Sequence, residues 1–361
     1  MRIIFILVLS LLFSSLKNLC SQKTHLHGQI SKILKYDTEI NFDQTPAFLV
    51  GVLDRDVFSI ESFGYSNVQS PLTMESCFEL GALSKALTFL IVKSLVNKGV
   101  LQINSPINSY LPAEYQNPRL DYITINDLIY YTSGLPNSLV GMGYKQTDLS
   151  SPYGQYTKAD ILTFFRNYVK RDALSADHYM DLDYALLGII IEFATNDDFQ
   201  SNLDLEVNKV LGSNFFVTKY EMKENLVVEG MSMSGIWSPG SKYNAFESAL
   251  GIKGSLSDLE KFLRYVISDS VNSEFHNLKN NKPSNAWDKG VLAKDGLYLI
   301  EVNRGQKVFA SYGHTNIHQV FLGFKENTKT GVVVLANSST GTKDLGMLVL
   351  KMVNENWKRK N

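Results

Sequence analysis

The distribution of strand patterns along the chain constrains its fold more than any other feature. Residues 47–53 and 57–66 are short runs of apolar and alternating residues around Asp54-Arg55-Asp56, a pattern that predicts a β-hairpin. Strand patterns return only after Gly296, and an amphipathic helix over residues 342–358 ends the sequence. The sequence therefore predicts an α/β (α+β) fold in which one sheet is assembled from both ends of the chain, with a helical region inserted between them.

Helical patterns fill the middle of the sequence. The segment 82–99 is apolar and ends at Gly99, a residue type common just beyond a helix end, and Thr124 is placed to cap another helix. The segment 181–195 is apolar almost all round, which predicts a buried helix. The other predicted elements are helices over 158–170 and 255–267 and strands over 297–302, 307–312, 318–325 and 330–336. We predict a domain over residues 22–361, with an α/β part (about 22–90 and 245–361) and a helical part (about 91–244).

Composition narrows the class of function. The 361 residues are 44% apolar and 20% charged, as in many globular proteins, and the formal net charge is −1. The only basic run is Lys358-Arg359-Lys360, so the concentrated positive face that nucleic-acid binding requires is absent from the sequence. His314 and His318 have an i, i+4 spacing, but no third ligand is nearby and the segment has a strand pattern. We predict no nucleic-acid partner, no metal and no cofactor.

The first residues have the pattern of a targeting segment. Arg2 precedes an apolar stretch over residues 3–16, which is too short to span a bilayer comfortably. We expect a signal peptide over residues 1–21, and therefore a secreted or periplasmic protein with no stable membrane span after cleavage. A lipoprotein acylated at Cys20 and an uncleaved anchor are the alternatives. After cleavage Cys77 is the only cysteine, so no internal disulfide can form, and we expect it to be a small buried apolar residue.

The helix that starts near residue 82 has the form of a catalytic motif without its nucleophile. In an S-x-x-K helix start, a serine and a lysine three residues later share one helix face, where the lysine can take the serine proton. Lys85 is present here, but the serine position is Ala82, which has no oxygen. Ser84 is a poor substitute, because two residues turn a helix by about 200°. Without a serine, Lys85 has the alternative role of a buried cation paired with a carboxylate.

Six segments carry a resemblance to a known family. They are residues 78–88 (FELGALSKALT), 101–112 (LQINSPINSYLP), 123–136 (ITINDLIYYTSGLP), 179–195, 251–262 and 313–337. In order and spacing they resemble the serine β-lactamase and penicillin-binding-protein superfamily, above all its branch of class C β-lactamases, DD-peptidases and family VIII esterases. The resemblance covers about residues 25–355. It implies a β-lactamase/transpeptidase-like fold, with an antiparallel sheet flanked by helices, an all-helical region beside it and an active cleft between the two.

The second motif of that family, Tyr-x-Asn, is Tyr179-Met180-Asp181 in this chain. The resemblance implies that Tyr179 carries protons near the serine–lysine pair and that the asparagine position contacts the substrate amide. Asp181 replaces this neutral amide with an anion that only accepts hydrogen bonds. It either pairs with Lys85 and neutralises the site, or caps the N-terminus of its own helix.

The third motif, Lys-Thr-Gly or His-x-Gly in the family, is by position His314-Thr315-Asn316. The resemblance implies a catalytic position at His314 and substrate contacts at Thr315 and Asn316. Asn316 adds a side chain where the glycine of the family lets the substrate lie close to the strand. A literal Lys-Thr-Gly at residues 329–331 lies between two strand patterns, and we interpret it as a hairpin turn. Tyr130-Tyr131 replaces the Thr-His of the family, a change to which the sequence assigns no role.

The joint alteration of all three motifs leads to three hypotheses. The first, which we favour, is a natural pseudoenzyme that binds a small-molecule, peptide or acyl ligand in the cleft, or a protein of the cell envelope. The second is an active hydrolase or acyl-transfer enzyme that uses Tyr179, Lys85 and His314 without an acyl-serine step. The third is an engineered Ser-to-Ala mutant of an ordinary serine hydrolase, but a single engineered change does not explain Asp181 and Asn316.

Overall fold

The main sheet joins the two ends of the chain. The computed structural model describes residues 25–38, 40, 46–64, 71–136, 151–169, 181–217, 226–268, 291–292, 294–302, 306–338 and 341–355. In chain order the strands are β1 (Ala47–Asp54), β2 (Val57–Gly64), β3 (Cys77–Glu79), β4 (Gly230–Met231), β5 (Trp237–Ser238), β6 (Lys253–Ser255), β7 (Val291–Leu292), β8 (Tyr298–Val302), β9 (Gln306–His314), β10 (Gln319–Lys325) and β11 (Thr330–Ala336). Seven of them form an antiparallel sheet in the order β2-β1-β11-β10-β9-β8-β7. The pairing of β1 with β11 confirms that both ends of the chain build one sheet.

Two turns of this sheet confirm the sequence patterns. β1 and β2 form the predicted hairpin, and Arg55 in its tip has a left-handed φ of 57°. The Lys-Thr-Gly at residues 329–331 lies where the chain turns from β10 into β11, with Lys329 at φ 50° and Thr330 as the first residue of β11. The literal motif is therefore a hairpin turn, and it contributes no residue to the cleft described below.

Helices enclose the sheet and fill the middle of the sequence. In chain order they are α1 (residues 25–36), α2 (Ser84–Asn97), α3 (Ile125–Ile129), α4 (Lys158–Asn167), α5 (Asp181–Thr195), α6 (Phe199–Leu203), α7 (Lys209–Leu211), α8 (Leu256–Ser268) and α9 (Thr342–Glu355). A π-helical turn, Asp204–Asn208, joins α6 to α7. None of the helices in the described ranges combines the length and apolar character that crossing a bilayer requires.

The local signals in the sequence place these helices correctly. Thr124 caps α3 and forms a capping box with Asp127, which satisfies backbone N–H groups at the helix start. α2 and α5 are buried on nearly every side, because both are apolar all round rather than along one stripe. They lie at the centre of the core, and their first turns carry the residues of the altered motifs.

A small second sheet sets the position of the altered motif. β3 pairs with β6, and this pairing places Glu79 opposite Lys253. Both strands have only three residues, which is too short for a periodic pattern, so they were not predicted from the sequence. Cys77 begins β3 and is buried, as expected for a small apolar residue. The chain passes from β3 directly into the turn that holds Ala82.

Candidate active-site cleft

A cleft of about 470 Å³ lies at the start of α2 and α5 and at the end of β9. This volume is within the range of small-molecule sites. Five residues predicted from the sequence line it, and they are Ala82, Asp181, His314, Thr315 and Asn316. Lys85 lies just behind Asp181, and Tyr179 lies outside the described residues. The tertiary structure therefore brings together three motifs that are far apart in the chain.

Ser84, two residues after Ala82, points away from the cleft. Gly81–Leu83 forms a single 3-10 turn that leads into α2. Ser84 is fully buried, and its hydroxyl oxygen accepts a hydrogen bond of 3.1 Å from the backbone N–H of Ile252. Its side chain is thus used to hold α2 against the chain before β6. The side chain that faces the cleft from this turn is the methyl group of Ala82.

Two glycines let β9 run against this turn, backbone to backbone. Gly81 has a φ of 51°, and a Cβ atom there would lie 2.7 Å from the backbone of His314. At Gly313 a Cβ atom would lie 1.8 Å from the carbonyl oxygen of Leu80. Only a residue without a Cβ atom permits such an approach. This contact places His314 and Ala82 on the same cleft.

Replacing Gly313 by alanine is expected to lower the free energy of unfolding by about 3 kcal/mol, because the backbone of the Ala82 turn must move. Thermal or urea unfolding of the G313A variant measures this loss. Gly28 is the matched control, since a Cβ atom there meets no heavy atom within 4 Å. We expect the G28A variant to be as stable as the parent protein or slightly more stable, as alanine is the better helix former. Equal stability of G313A and the parent protein would contradict the close packing.

Lys85 and Asp181 form a buried ion pair, as one of the two sequence-based alternatives for Asp181 predicts. The Lys85 Nζ lies 2.7 Å from Asp181 Oδ1. The lysine side chain is 3% exposed and the aspartate side chain 19%. Burial lowers the pKa of Lys85, and the attraction of Asp181 opposes this shift. The lysine that would activate a serine is therefore held by a carboxylate.

Aromatic rings complete the surroundings of the Lys85 ammonium. Its Nζ lies 5.5 Å from the ring centre of Tyr131 and 5.7 Å from that of Tyr184, both within range of a cation–π attraction. Tyr131 has a left-handed φ of 58° and is buried. The structure thus gives Tyr131 a role that the sequence did not: its ring covers the cation.

Tyr153 contacts the Lys85–Asp181 ion pair, a role that was not predicted from the sequence. Its hydroxyl donates a hydrogen bond of 2.7 Å to Asp181 Oδ2, the oxygen that Lys85 leaves open. Burial and the neighbouring Asp181 raise the pKa of Tyr153 far above its usual value, so the phenol stays protonated. Both carboxylate oxygens of Asp181 are therefore occupied. Tyr153 lies in no recognisable motif, and only its contact in the folded chain identifies it.

A second carboxyl group lies two residues after Asp181 in the same helix. Asp183 is fully buried, and its Oδ1 accepts a hydrogen bond of 2.7 Å from the hydroxyl of Ser133. Burial raises the pKa of Asp183 to about 8, so the group is mostly neutral at pH 7. In the first turns of α2 and α5, Lys85 and Asp181 therefore carry the charges at neutral pH. Within the described ranges, no three His, Cys, Asp or Glu side chains converge where a metal ion could bind.

The third motif forms the opposite side of the cleft. His314 ends β9, and its ring stacks on Tyr312 at 6.5 Å between ring centres. The next residues form a tight turn, in which Thr315 N–H donates to the carbonyl of His318 and His318 N–H donates to Thr315 Oγ1. Asn316 reaches the cleft from this turn, as expected for a position that crowds a ligand. This side of the cleft is therefore lined by polar side chains, with Asn316 at the position where the family has a glycine.

Fold and cleft together define a protein of the β-lactamase/transpeptidase-like class, with an antiparallel sheet flanked by helices and motif residues at the helix starts. The chain belongs to the Beta-lactamase family, whose model matches residues 41–350. It is 24% identical over 336 residues to protein flp of Staphylococcus aureus (strain NCTC 8325 / PS 47), across 86% of this chain and 62% of that protein. The chain thus spans less than two thirds of the length of this relative.

Solved structures show the same fold. The octameric penicillin-binding protein homologue from Pyrococcus abyssi has a TM-score of 0.70 and 21% identity, covering 91% of this chain and 77% of that one. The β-lactamase/D-alanine carboxypeptidase from Yersinia pestis, complexed with citrate, has a TM-score of 0.73 and 17% identity, covering 91% and 98%. These likenesses confirm the predicted fold class, and the activity of this chain has to be argued from its own cleft.

Proposed function

We propose that this protein is a pseudoenzyme of the cell envelope that binds an acyl or peptide ligand in its cleft without forming an acyl-enzyme. The family membership supports a cleft for such ligands. The targeting pattern of the first residues supports a location outside the cytoplasm. A protein of the cell envelope, rather than a ligand in the cleft, is the alternative partner.

The observation that carries the proposal is the combined state of Ala82 and Lys85. Ala82 offers no oxygen for attack, and nucleophile loss alone costs on the order of a millionfold in rate in a serine protease. Asp181 also engages the ammonium of Lys85, which must be neutral to take a proton. Two independent features therefore oppose acyl-serine chemistry, whereas the cleft itself is open.

The competing hypothesis is an enzyme that uses Tyr179, Lys85 and His314 with water or another nucleophile. Its support is that His314 lines the cleft beside Ala82 and that burial lowers the pKa of Lys85. It requires Lys85 to lose a proton while it is paired with Asp181. This step makes the competing hypothesis testable with the same variants.

The experiment compares the protein with its A82S, D181N and A82S/D181N variants. Each is incubated with a fluorescent penicillin, a chromogenic cephalosporin and a short-chain ester, and the intact mass is recorded. We expect no adduct and no turnover from the protein itself or from D181N. We expect a slow adduct at most from A82S, and a faster one from A82S/D181N, in which Lys85 has lost its anionic partner.

The controls assign each result to one hypothesis. An A82S/D181N/S84A variant must keep the adduct, because Ser84 is bonded away from the cleft. Turnover by the unchanged protein, if lost in a K85M variant, would favour the active enzyme and refute the pseudoenzyme. No adduct from any variant would contradict a cleft that still accepts acyl ligands.

A further inference from the structure

A buried carboxylate behind the cleft holds one of its walls. Glu79, the last residue of β3, is fully buried. Its Oε1 accepts a hydrogen bond of 2.6 Å from the backbone N–H of Ser241, and its Oε2 accepts one of 3.2 Å from the hydroxyl of Tyr243. Ser241 and Tyr243 both line the cleft. We name residues 240–243 the cleft wall.

The backbone of the cleft wall is shaped to reach this carboxylate. Gly240 has a φ of 120°, and a Cβ atom there would lie 2.7 Å from Glu79 Oε1. Glycine is the residue that adopts such a conformation without strain. The wall therefore approaches Glu79 more closely than another residue would allow.

Contacts extend from Glu79 to the altered motifs. The ring of Tyr243 stacks on Tyr153 at 6.4 Å between ring centres, and Tyr153 donates to Asp181 of the ion pair. Along the chain, Glu79 is followed within three residues by Ala82. The Glu79 side chain thus connects the cleft wall to the nucleophile turn, and through Tyr243 and Tyr153 to Asp181.

The chemistry of the position favours a role in holding the cleft wall rather than in adding stability. Burial raises the pKa of Glu79, and the charge of Lys253, its partner across β3 and β6, opposes this shift. A buried charged group seldom adds stability compared with apolar residues of similar volume. What a carboxylate supplies here is a pair of acceptors that fix the Ser241 N–H and the Tyr243 hydroxyl together.

We propose that Glu79 is a positioning residue, whose carboxylate fixes the cleft wall relative to Ala82 and thereby sets the shape in which a ligand binds. The inference rests on the proposed ligand-binding function. It assigns specificity to a residue that does not itself line the cleft.

Hydrogen–deuterium exchange of the ligand-free protein tests this role by segment. In an E79L variant we expect the Ser241 amide to exchange at least about tenfold faster, because its hydrogen bond to Glu79 Oε1 is lost. Amides of α9 and of the β1–β2 hairpin are expected to keep their rates. An E79Q variant retains one acceptor oxygen, so we expect a smaller increase, and it serves if E79L does not fold.

Asp258 provides the matched control. It is a buried carboxylate that accepts hydrogen bonds from the N–H groups of Asn214 and Ser255, not from the cleft wall. A D258N variant is expected to accelerate exchange at Asn214 and Ser255 only. Unchanged exchange at Ser241 in the Glu79 variants, or an equal acceleration in all segments, would overturn the proposal.

The effect of Glu79 on ligand binding is measured in a separate experiment. If A82S/D181N forms an adduct, adding E79Q or E79L must slow its formation, by about tenfold for E79L; an unchanged rate would overturn the role of Glu79 in ligand binding. If A82S/D181N forms none, the proposed function fails, and the exchange data still decide whether Glu79 holds the wall.

Discussion

Replacing Asp181 by leucine is expected to lower the free energy of unfolding by about 3–5 kcal/mol at neutral pH, the usual cost of leaving a buried charge unpaired. The side chain of Lys85 is 3% exposed, and its ammonium forms the 2.7 Å ion pair with Asp181. Without the carboxylate, the folded chain either holds an uncompensated cation or must deprotonate it. Urea unfolding of the D181L variant at pH 7 measures the loss.

The pH dependence of the stability of the D181L variant shows whether the unpaired Lys85 ammonium causes the loss. The pKa of Lys85 is already below its ordinary value, and removing Asp181 lowers it further. Between the lowered pKa of Lys85 in the folded chain and its unfolded pKa of about 10.4, the unfolded chain binds more protons than the folded chain. Stability of D181L must therefore rise with pH relative to the parent protein, and the deficit must shrink toward pH 10.

A double variant separates the ion pair from simple packing. K85M/D181L removes both charges and is expected to lie within about 1 kcal/mol of the parent protein, because apolar replacements of buried pairs are often neutral or better. Glu260 forms a more exposed pair with Arg264, and an E260Q control is expected to change stability by less than about 0.5 kcal/mol. If K85M/D181L is no more stable than D181L, the loss does not come from the unpaired cation.

The second large effect concerns acid stability and His318. This residue is fully buried; its Nδ1 accepts a hydrogen bond from the Glu79 N–H, and its Nε2–H donates to the carbonyl of Val228. Both nitrogens are thus used in the neutral form. Burial lowers the pKa of His318 to about 3, and the nearby charge of Lys253 acts in the same direction.

The sign of the effect follows from the two pKa values. In the unfolded chain a histidine has a pKa of about 6.5, so between pH 6.5 and pH 3 only the unfolded chain binds this proton. The contribution of His318 to stability is complete above pH 6.5 and falls by about 1.4 kcal/mol for each pH unit below it. We expect this loss to end near pH 3.

An H318Q variant isolates this contribution. Glutamine keeps one acceptor and one donor but has no titration, so the parent protein must lose stability relative to H318Q as the pH falls from 6.5 to 3. Chemical unfolding at a series of pH values gives the difference in the free energy of unfolding between the two proteins. The contributions of the carboxyl groups, which both proteins share, cancel in this difference. An H25Q variant at an exposed histidine serves as the control for exchanging a histidine for a glutamine. Parallel curves for H318Q and the parent protein would show that His318 is not held neutral.

The longer a sequence pattern is, the better the predicted element agrees with the structure. The hairpin of β1 and β2, the strands β8 to β11 and the helices α2 and α5 agree with the sequence patterns within a few residues. The small strands β3 and β6 were missed because three residues hold no period. Their pairing depends on contacts between segments about 175 residues apart, and local propensity contains no information about such contacts.

Some side chains of the cleft could be predicted from sequence motifs, and others could be identified only from the structure. The family resemblance implied that Ala82, Lys85, Asp181 and His314 lie near one another, and the structure places the Lys85 ammonium 2.7 Å from Asp181. Tyr153 and Glu79 stand in no motif, and their roles follow only from hydrogen bonds formed after folding. The assignment of Tyr179 remains a prediction from the resemblance.

The sequence by itself determined most of the helices and strands, a sheet that unites both chain ends, and an alanine, Ala82, at the serine position of an S-x-x-K form. These are properties of residue type, period and order. Only the tertiary structure decided between the two roles of Asp181, because a cap and an ion pair require the same residue at the same helix start. The choice depended on where α2 and α5 meet, which places the Lys85 ammonium 2.7 Å from the carboxylate.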